Sequence, residues 1–162
     1  MQELAKKLVG LCNARQISLV FAESCTGGAL ASAITNVPQA SNCFIGSLVT
    51  YQDIAKHEIL DVPLSVLSSE GAVSSAVAEK MLAGVLAKLP AKLGVAVTGF
   101  AGPEGGTPEE HIGTVYVAIG GQNIAKRVIR FQLEGVRHEI IQQTVTIVLL
   151  QLIQVMQDHP VL

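Results

Sequence analysis

Two short segments of the chain hold the residue types that hydrolytic chemistry needs. The first reads Ala22-Glu23-Ser24-Cys25-Thr26-Gly27-Gly28. An apolar run precedes it and a helical pattern follows, so it lies where a strand ends and a helix begins. Ligands of α/β sheets gather at such carboxyl ends of strands. A helix start there offers unpaired N–H groups and a positive dipole end to an anion. Ser24, Cys25 and Thr26 are the nucleophile candidates, and Gly27 and Gly28 let a ligand or an oxyanion approach the backbone. The same residues would also make an ordinary capped helix start. Two hydroxyls, a thiol and two glycines together at a strand end favour a site.

A serine nucleophile needs a base. None of His57, His111, His138 and His159 is placed to serve Ser24, and no HxH or HExxH spacing marks a metal site. Lys56 is the better candidate, with Tyr51 five residues before it at the end of a strand. A lysine in a desolvated setting beside another positive group or dipole serves as a base at neutral pH, and Ser-Lys pairs are a known variant of the triad. By position alone Lys56 reads as a solvated helix residue. Cys25 reads equally as a small buried residue.

The second segment runs from Thr98 to Pro108, with four glycines (Gly99, Gly102, Gly105, Gly106) and two prolines in eleven residues. This composition makes a structured loop, and backbone N–H groups from Gly102 to Thr107 suit an anion nest. It is neither a Walker A loop nor a GxGxxG fingerprint. A glycine-rich loop of this length inside a compact domain is more often functional than a plain connection.

Composition sets the limits around these segments. The chain has 162 residues, 11 Lys+Arg against 13 Asp+Glu, a net charge of −2 and 49% hydrophobic residues. Charged residues are only 15%, below the typical level of about 25%, and the mean hydropathy is +0.47. Disorder is excluded by the apolar content. A nucleic-acid partner is disfavoured by the missing basic surplus and by the absence of Trp among 4% aromatics. Cys12, Cys25 and Cys43 show no CxxC spacing, and the first ten residues carry charges in an amphipathic pattern without a signal-peptide core. The expectation is reduced thiols in a cytoplasmic protein. The apolar stretch Val145–Met156 is too short for a membrane span.

The elements that must position the two segments follow from periodicity. Helices are predicted over 2–15, 27–36, 55–60, 74–89 and 135–157, with a further single turn at 63–68. Strands are predicted over 17–22, 44–51, 92–98, 113–120 and 124–131, the last two joined by Gly121-Gln122-Asn123 as a hairpin. The pattern implies one domain over residues 1–162. Its expected fold is a three-layer α/β/α sandwich around a mixed, mostly parallel sheet of about five or six strands. The last helix is apolar on more than one face, which predicts a homo-oligomer, a dimer in the simplest case.

The segments Ala22–Gly28, Val49-Thr50-Tyr51 with Ala55-Lys56, Gly71-Ala72-Val73-Ser74, Val97–Pro108 and Gly113-Thr114-Val115-Tyr116 together resemble the CinA C-terminal domain family, in order and over almost the whole chain. Members of that family are nicotinamide-nucleotide amidases. The resemblance implies conversion of nicotinamide mononucleotide to nicotinate mononucleotide and ammonia, in pyridine-nucleotide salvage. It implies a nucleophile at Ser24, assistance from Lys56 and Tyr51, Thr98 in the site, and no metal or organic cofactor. Larger members carry an N-terminal molybdopterin-binding-like domain, and this chain resembles the stand-alone version.

The chain departs from the family pattern at two places. Gln52-Asp53-Ile54 replaces the usual Ser-Asn-Glu while keeping Tyr51 and Lys56, and Ile141 stands where a second arginine follows Arg137 by four residues. Arg137 then becomes the main phosphate-binding side chain, beside the Gly102–Thr107 loop. Substrate contacts are expected from Cys25, Thr26, Gly27, Gly28, Gly99, Gly102, Gly105, Gly106, Thr107 and Arg137, and ring stacking from Phe44, Phe100 or Tyr51. The rival reading is a nucleotide- or partner-binding homologue without turnover, which Ile141 favours. A DNA-uptake role, suggested by the family's association with competence, is opposed by the acidic charge balance.

Overall fold

The computed structural model describes residues 1–159. Five strands form one sheet: β1 (Leu19–Glu23), β2 (Phe44–Val49), β3 (Leu93–Gly99), β4 (Thr114–Gly121) and β5 (Ile124–Gln132), in the order β2-β1-β3-β4-β5. β1 pairs in parallel with both β2 and β3, whereas β3–β4 and β4–β5 are antiparallel. The mixed sheet therefore has a parallel half and an antiparallel half, with β4 alone pointing against the other strands. β1 is buried over its full length, which explains why its sequence is a continuous apolar run instead of an alternating one.

Alternate residues of these strands feed two cores, as the strand period of two requires. On one face Leu19, Phe21, Val95, Val97, Val117 and Ile119 pack beneath α1 (Gln2–Arg15), α2 (Ala29–Thr35) and α6 (Arg137–Asp158). On the other, Val20, Ala22, Ala96 and Ala118 pack beneath α3 (Asp53–Leu60), α4 (Leu64–Glu70) and α5 (Ser75–Lys88). The arrangement is the three-layer α/β/α sandwich. Small residues on the second face let α5 sit close. Gly84 lets α5 pack equally closely on α3, since a Cβ there would lie 2.0 Å from the Leu60 carbonyl oxygen.

Local signals act as their chemistry dictates. Ser74 caps α5, its hydroxyl accepting from Val77 N–H at 3.2 Å. Asn123 takes the left-handed conformation in the β4–β5 hairpin, with φ 59°. The turn expected at 63–68 is a full helix of seven residues. The apolarity of α6 is largely accounted for within the chain. Ile140, Val145, Val148, Leu149, Leu152, Ile153, Val155 and Met156 are buried, against α1, α2 and β4. α6 matches the helix predicted over 135–157 to within two residues at its start and, at 22 residues, meets the length and composition of a membrane span that the shorter stretch Val145–Met156 does not, yet half of its apolar window is already buried in the fold.

The connections leaving β1 and β2 run to opposite faces, by α2 and by α3–α5 respectively. That divergence opens a crevice outside the carboxyl ends of the parallel strands. In the antiparallel half, β4 and β5 are joined by a tight hairpin at the opposite edge of the sheet, while the long loop from β3 to β4 lies beside the crevice.

Candidate active site

The end of β1 is organised by Glu23. This side chain is fully buried, and its carboxylate accepts five hydrogen bonds. Oε2 accepts from Thr26 Oγ1 (2.7 Å), Gly28 N (3.0 Å) and Leu30 N (3.1 Å); Oε1 accepts from Ala31 N (2.9 Å) and Ser47 Oγ (2.9 Å). The carboxylate thus caps α2 from inside the molecule and ties it to β2. The predicted helix at 27–36 begins at Ala29 for this reason. Gly28 must take φ 96° at the helix entry, with β2's Val49 3.7 Å from where its Cβ would sit.

This arrangement revises the donors expected at the helix start. The Gly28 amide is spent on Glu23, and the Gly27 amide donates to the Ser24 carbonyl at 3.0 Å. Neither is free for a substrate. Among the described residues, the amides of Cys25 and Thr26 donate to no other residue's oxygen, while the Ser24 amide donates to Val97 O at 3.0 Å. The Ser24 anchor fixes the loop to β3.

Ser24 and Cys25 line a cleft of about 220 Å³ together with Tyr51, Asp53, Lys56, Ala72, Val73, Thr98, Gly99, Phe100, Ala101 and Arg137. Burial pushes the Cys25 thiol up to about 12, overcoming the pull of Arg137 and Lys56. It is a neutral thiol at physiological pH, so like the Ser24 hydroxyl it needs a base before it can attack. Lys56 is almost completely buried, against the solvated position that its place in the sequence suggests. Its Nζ donates to the Tyr51 carbonyl at 3.2 Å and to Asp53 Oδ1 at 3.4 Å. Thr98 Oγ1 donates to the Ala72 carbonyl at 2.7 Å, pinning the Gly71–Ser74 segment across the cleft. Arg137 closes the mouth: Nη1 donates to Gly102 O and Nη2 to the Tyr51 hydroxyl, both at 2.8 Å.

The long loop after β3 is fastened from the opposite side. Arg130 donates to Glu110 Oε2 through Nε (3.0 Å) and Nη2 (2.8 Å), and the Tyr116 hydroxyl donates to Glu110 Oε1. The Arg130 guanidinium, with smaller help from Tyr116, holds the Glu110 carboxyl below its ordinary range. Gln132 Nε2 donates to Ile112 O at 2.9 Å, and Thr107 Oγ1 accepts from Glu110 N at 2.9 Å. The loop is structured, as its composition predicts. It borders an adjoining cleft of about 760 Å³ that shares Ala72, Val73 and Phe100 with the first and is lined by Glu70, Glu79, Glu109 and Glu110.

The predicted site residues therefore divide. Ser24, Cys25, Tyr51, Lys56, Thr98, Gly99 and Arg137 share one cleft, and Gly102 touches it through Arg137. Thr26, Gly27 and Gly28 lie behind it around Glu23. Gly105 and Gly106 line a separate depression with His111, while Thr107 also reaches the acidic cleft. Phe44 is no stacking residue, since its ring packs in the core against Phe21 with centroids 4.8 Å apart. Phe100 and Tyr51 remain at the cleft. Sequence reasoning assigned no role to Glu23 or Asp53. The available signals were a carboxylate ending an otherwise apolar strand, and an acid one helical turn before Lys56.

Comparison with known proteins places this geometry in a family. The family model for the CinA C-terminal domain matches residues 1–156. A CinA-like protein of Chlorobaculum tepidum is 41% identical over 140 residues, covering 84% of this chain and 33% of its own. One from Geotalea uraniireducens is 46% identical over 123 residues, covering 76% and 29%. The chain spans about a third of the length of these curated relatives. Among solved structures, the competence/damage inducible protein CihA of Agrobacterium tumefaciens superposes with a TM-score of 0.92 at 35% identity, covering 95% of this chain and 94% of its own. A CinA superfamily protein from Escherichia coli gives 0.90 at 33% identity, covering 94% and 88%. With the family model matched over nearly its whole length and the fold shared throughout, the chain belongs to the CinA C-terminal domain family.

Proposed function

We propose that the chain is an amidohydrolase that converts nicotinamide mononucleotide to nicotinate mononucleotide and ammonia, within pyridine-nucleotide salvage in the cytoplasm. The observation that carries this reading is the convergence of Ser24, Lys56, Tyr51, Thr98 and Arg137, from separate parts of the chain, on one small cleft. Ser24 Oγ attacks the carboxamide carbon while Lys56, as the base, accepts its proton. The tetrahedral oxyanion requires N–H donors, and the amides left for it beside Ser24 are those of Cys25 and Thr26. Lys56 returns the proton to the leaving nitrogen, ammonia departs, and water hydrolyses the acyl-serine by the same proton path.

The size and charge of the two clefts support an orientation. At about 220 Å³ the inner cleft is smaller than the roughly 300–1,000 Å³ of ordinary ligand pockets, so it takes the reacting pyridine-carboxamide end alone. In the adjoining cleft Glu79 and Glu110 are paired with Lys126 and Arg130, Glu70 and Glu109 disfavour a phosphate, and among the described residues no lysine or arginine lines it. The 5′-phosphate therefore leaves by the mouth at Arg137, which has donors beyond those given to Gly102 and Tyr51. The buried, unpaired Cys12, Cys25 and Cys43 accord with a reducing compartment. Self-association as a dimer is retained as part of the proposal and is read by light scattering at micromolar concentration.

An ammonia-release assay across nicotinamide mononucleotide, its riboside and free nicotinamide tests the reading. Activity is expected on the mononucleotide, unaffected by chelator and abolished in Ser24→Ala; full activity in that variant removes Ser24 as nucleophile. A second reading, a nucleotide binder without turnover, is favoured by one observation: Ile141 packs against the core one turn after Arg137, leaving a single guanidinium at the mouth. Tight binding by calorimetry with no ammonia released would select it.

A further inference from the structure

We infer that Glu23 is the positioning residue of this site. By saturating the start of α2 from inside, it presents the Cys25 and Thr26 amides as the donors for the oxyanion. The inference rests on the proposed acyl-transfer reading.

Three observations carry it. First, Glu23 is wholly buried, yet its five recorded partners are neutral donors. A buried carboxylate is costly unless its lone pairs are filled, so the full donor set must be present for the loop to hold this shape. Second, three of the donors are the amides of Gly28, Leu30 and Ala31, which a helix start otherwise turns towards a bound anion. With Glu23 in place no substrate anion can use them, and the next amides back along the chain, Thr26 and Cys25, donate to no other residue's oxygen among the described residues. Third, the bonds run in two directions. Oε2 fixes the Thr26 side chain, while Oε1 fixes Ser47 on the neighbouring strand. The segment carrying Ser24 is thereby referenced to the sheet and does not depend on α2 alone. Glu23 touches no reacting atom, and its effect passes through the backbone.

Glu23→Gln keeps the shape of the side chain but turns one acceptor oxygen into a donor, which must face either the Thr26–Gly28–Leu30 set or the Ala31–Ser47 pair. The expected result is a fall in kcat for ammonia release of about 100-fold, the scale of losing one oxyanion donor, with KM within about twofold because the substrate contacts are unchanged. Hydrogen exchange across residues 26–31 should accelerate in the same variant. Thr26→Val removes a single bond to Oε2 and keeps the helix amides capped. Its kcat should fall about tenfold at constant KM, and it decides the matter if Glu23→Gln fails to fold. Rates of Ser24 labelling by a fluorophosphonate give the same comparison without a natural substrate, because the phosphonyl oxygen develops the same charge. Wild-type kcat and labelling rates in both variants would overturn the inference while leaving the amidase reading intact. A wild-type protein that is labelled but releases no ammonia removes that substrate assignment, with the inference still judged by the labelling ratio. A wild-type protein that neither releases ammonia nor is labelled at Ser24 removes both.

Discussion

Two glutamates hold the two strand-end loops in opposite ways. Glu23, at the end of β1, is buried and surrounded by neutral backbone and hydroxyl donors. Glu110, in the loop after β3, is partly exposed and paired with Arg130 and Tyr116. The first loop carries the proposed nucleophile and must be fixed on the scale of a hydrogen bond; the second borders the larger, acidic cleft beside it. A carboxylate inside the protein acts in a low-dielectric setting, where each unfilled lone pair is expensive. One at the surface is screened by water and contributes little beyond geometry. The contrast shows how one side-chain type, in two settings, fixes one loop from inside the fold and fastens the other at its surface.

Deleting the interior member should have the largest effect. Glu23→Ala leaves three amides and two hydroxyls without their acceptor. At about 1–3 kcal/mol for each buried unsatisfied group, partly relieved by entering water, a loss of at least about 3 kcal/mol is expected in denaturant unfolding. Little change in the midpoint would mean that the α2 start is held by something else. Glu110→Gln should do much less to the melting temperature and should leave kcat nearly constant. A collapse in kcat there would erase the distinction between the loops.

The pH dependence follows from the lowered Glu110 carboxyl. Its folded value lies below the unfolded one, so its stabilisation is complete above about 4.5 and is lost as pH falls through the folded value. Thermal melts of wild type and Glu110→Gln should therefore converge on acidification below that point. The smallest effect concerns Cys25. Because burial pushes its thiol up to about 12, mass spectrometry after iodoacetamide treatment of the folded protein at pH 8 should find it unmodified. Rapid alkylation would mean that the first loop opens readily in the folded protein.

Much of the scaffold is legible in the sequence because its signals are local. The Ser74 cap, the Gly121-Gln122-Asn123 hairpin and the apolar period of the helices each depend on a few neighbouring residues. Ser24, Lys56, Tyr51, Thr98 and Arg137 are legible as residue types at expected positions. The environment of Lys56 is not, since its burial comes from α3 packing on α5 and from a carbonyl five residues away. The role of Glu23 is hidden for a related reason: Thr26 and Gly28 are sequence neighbours, but Ser47 comes from another strand. Phe44 misleads because an aromatic residue near a strand start looks the same whether it meets a ligand or Phe21.

The sequence by itself determined the α/β class, the strand-end positions of the two loops and the family, because these rest on periodicity and on motifs that survive in order along the chain. Only the tertiary structure decided which amides remain free beside Ser24, that Arg137 spans the mouth to Tyr51 across 86 residues of sequence, and that the outer cleft is acidic. Those properties depend on desolvation and on hydrogen bonds between distant segments, which become defined once the sheet brings the strand ends together.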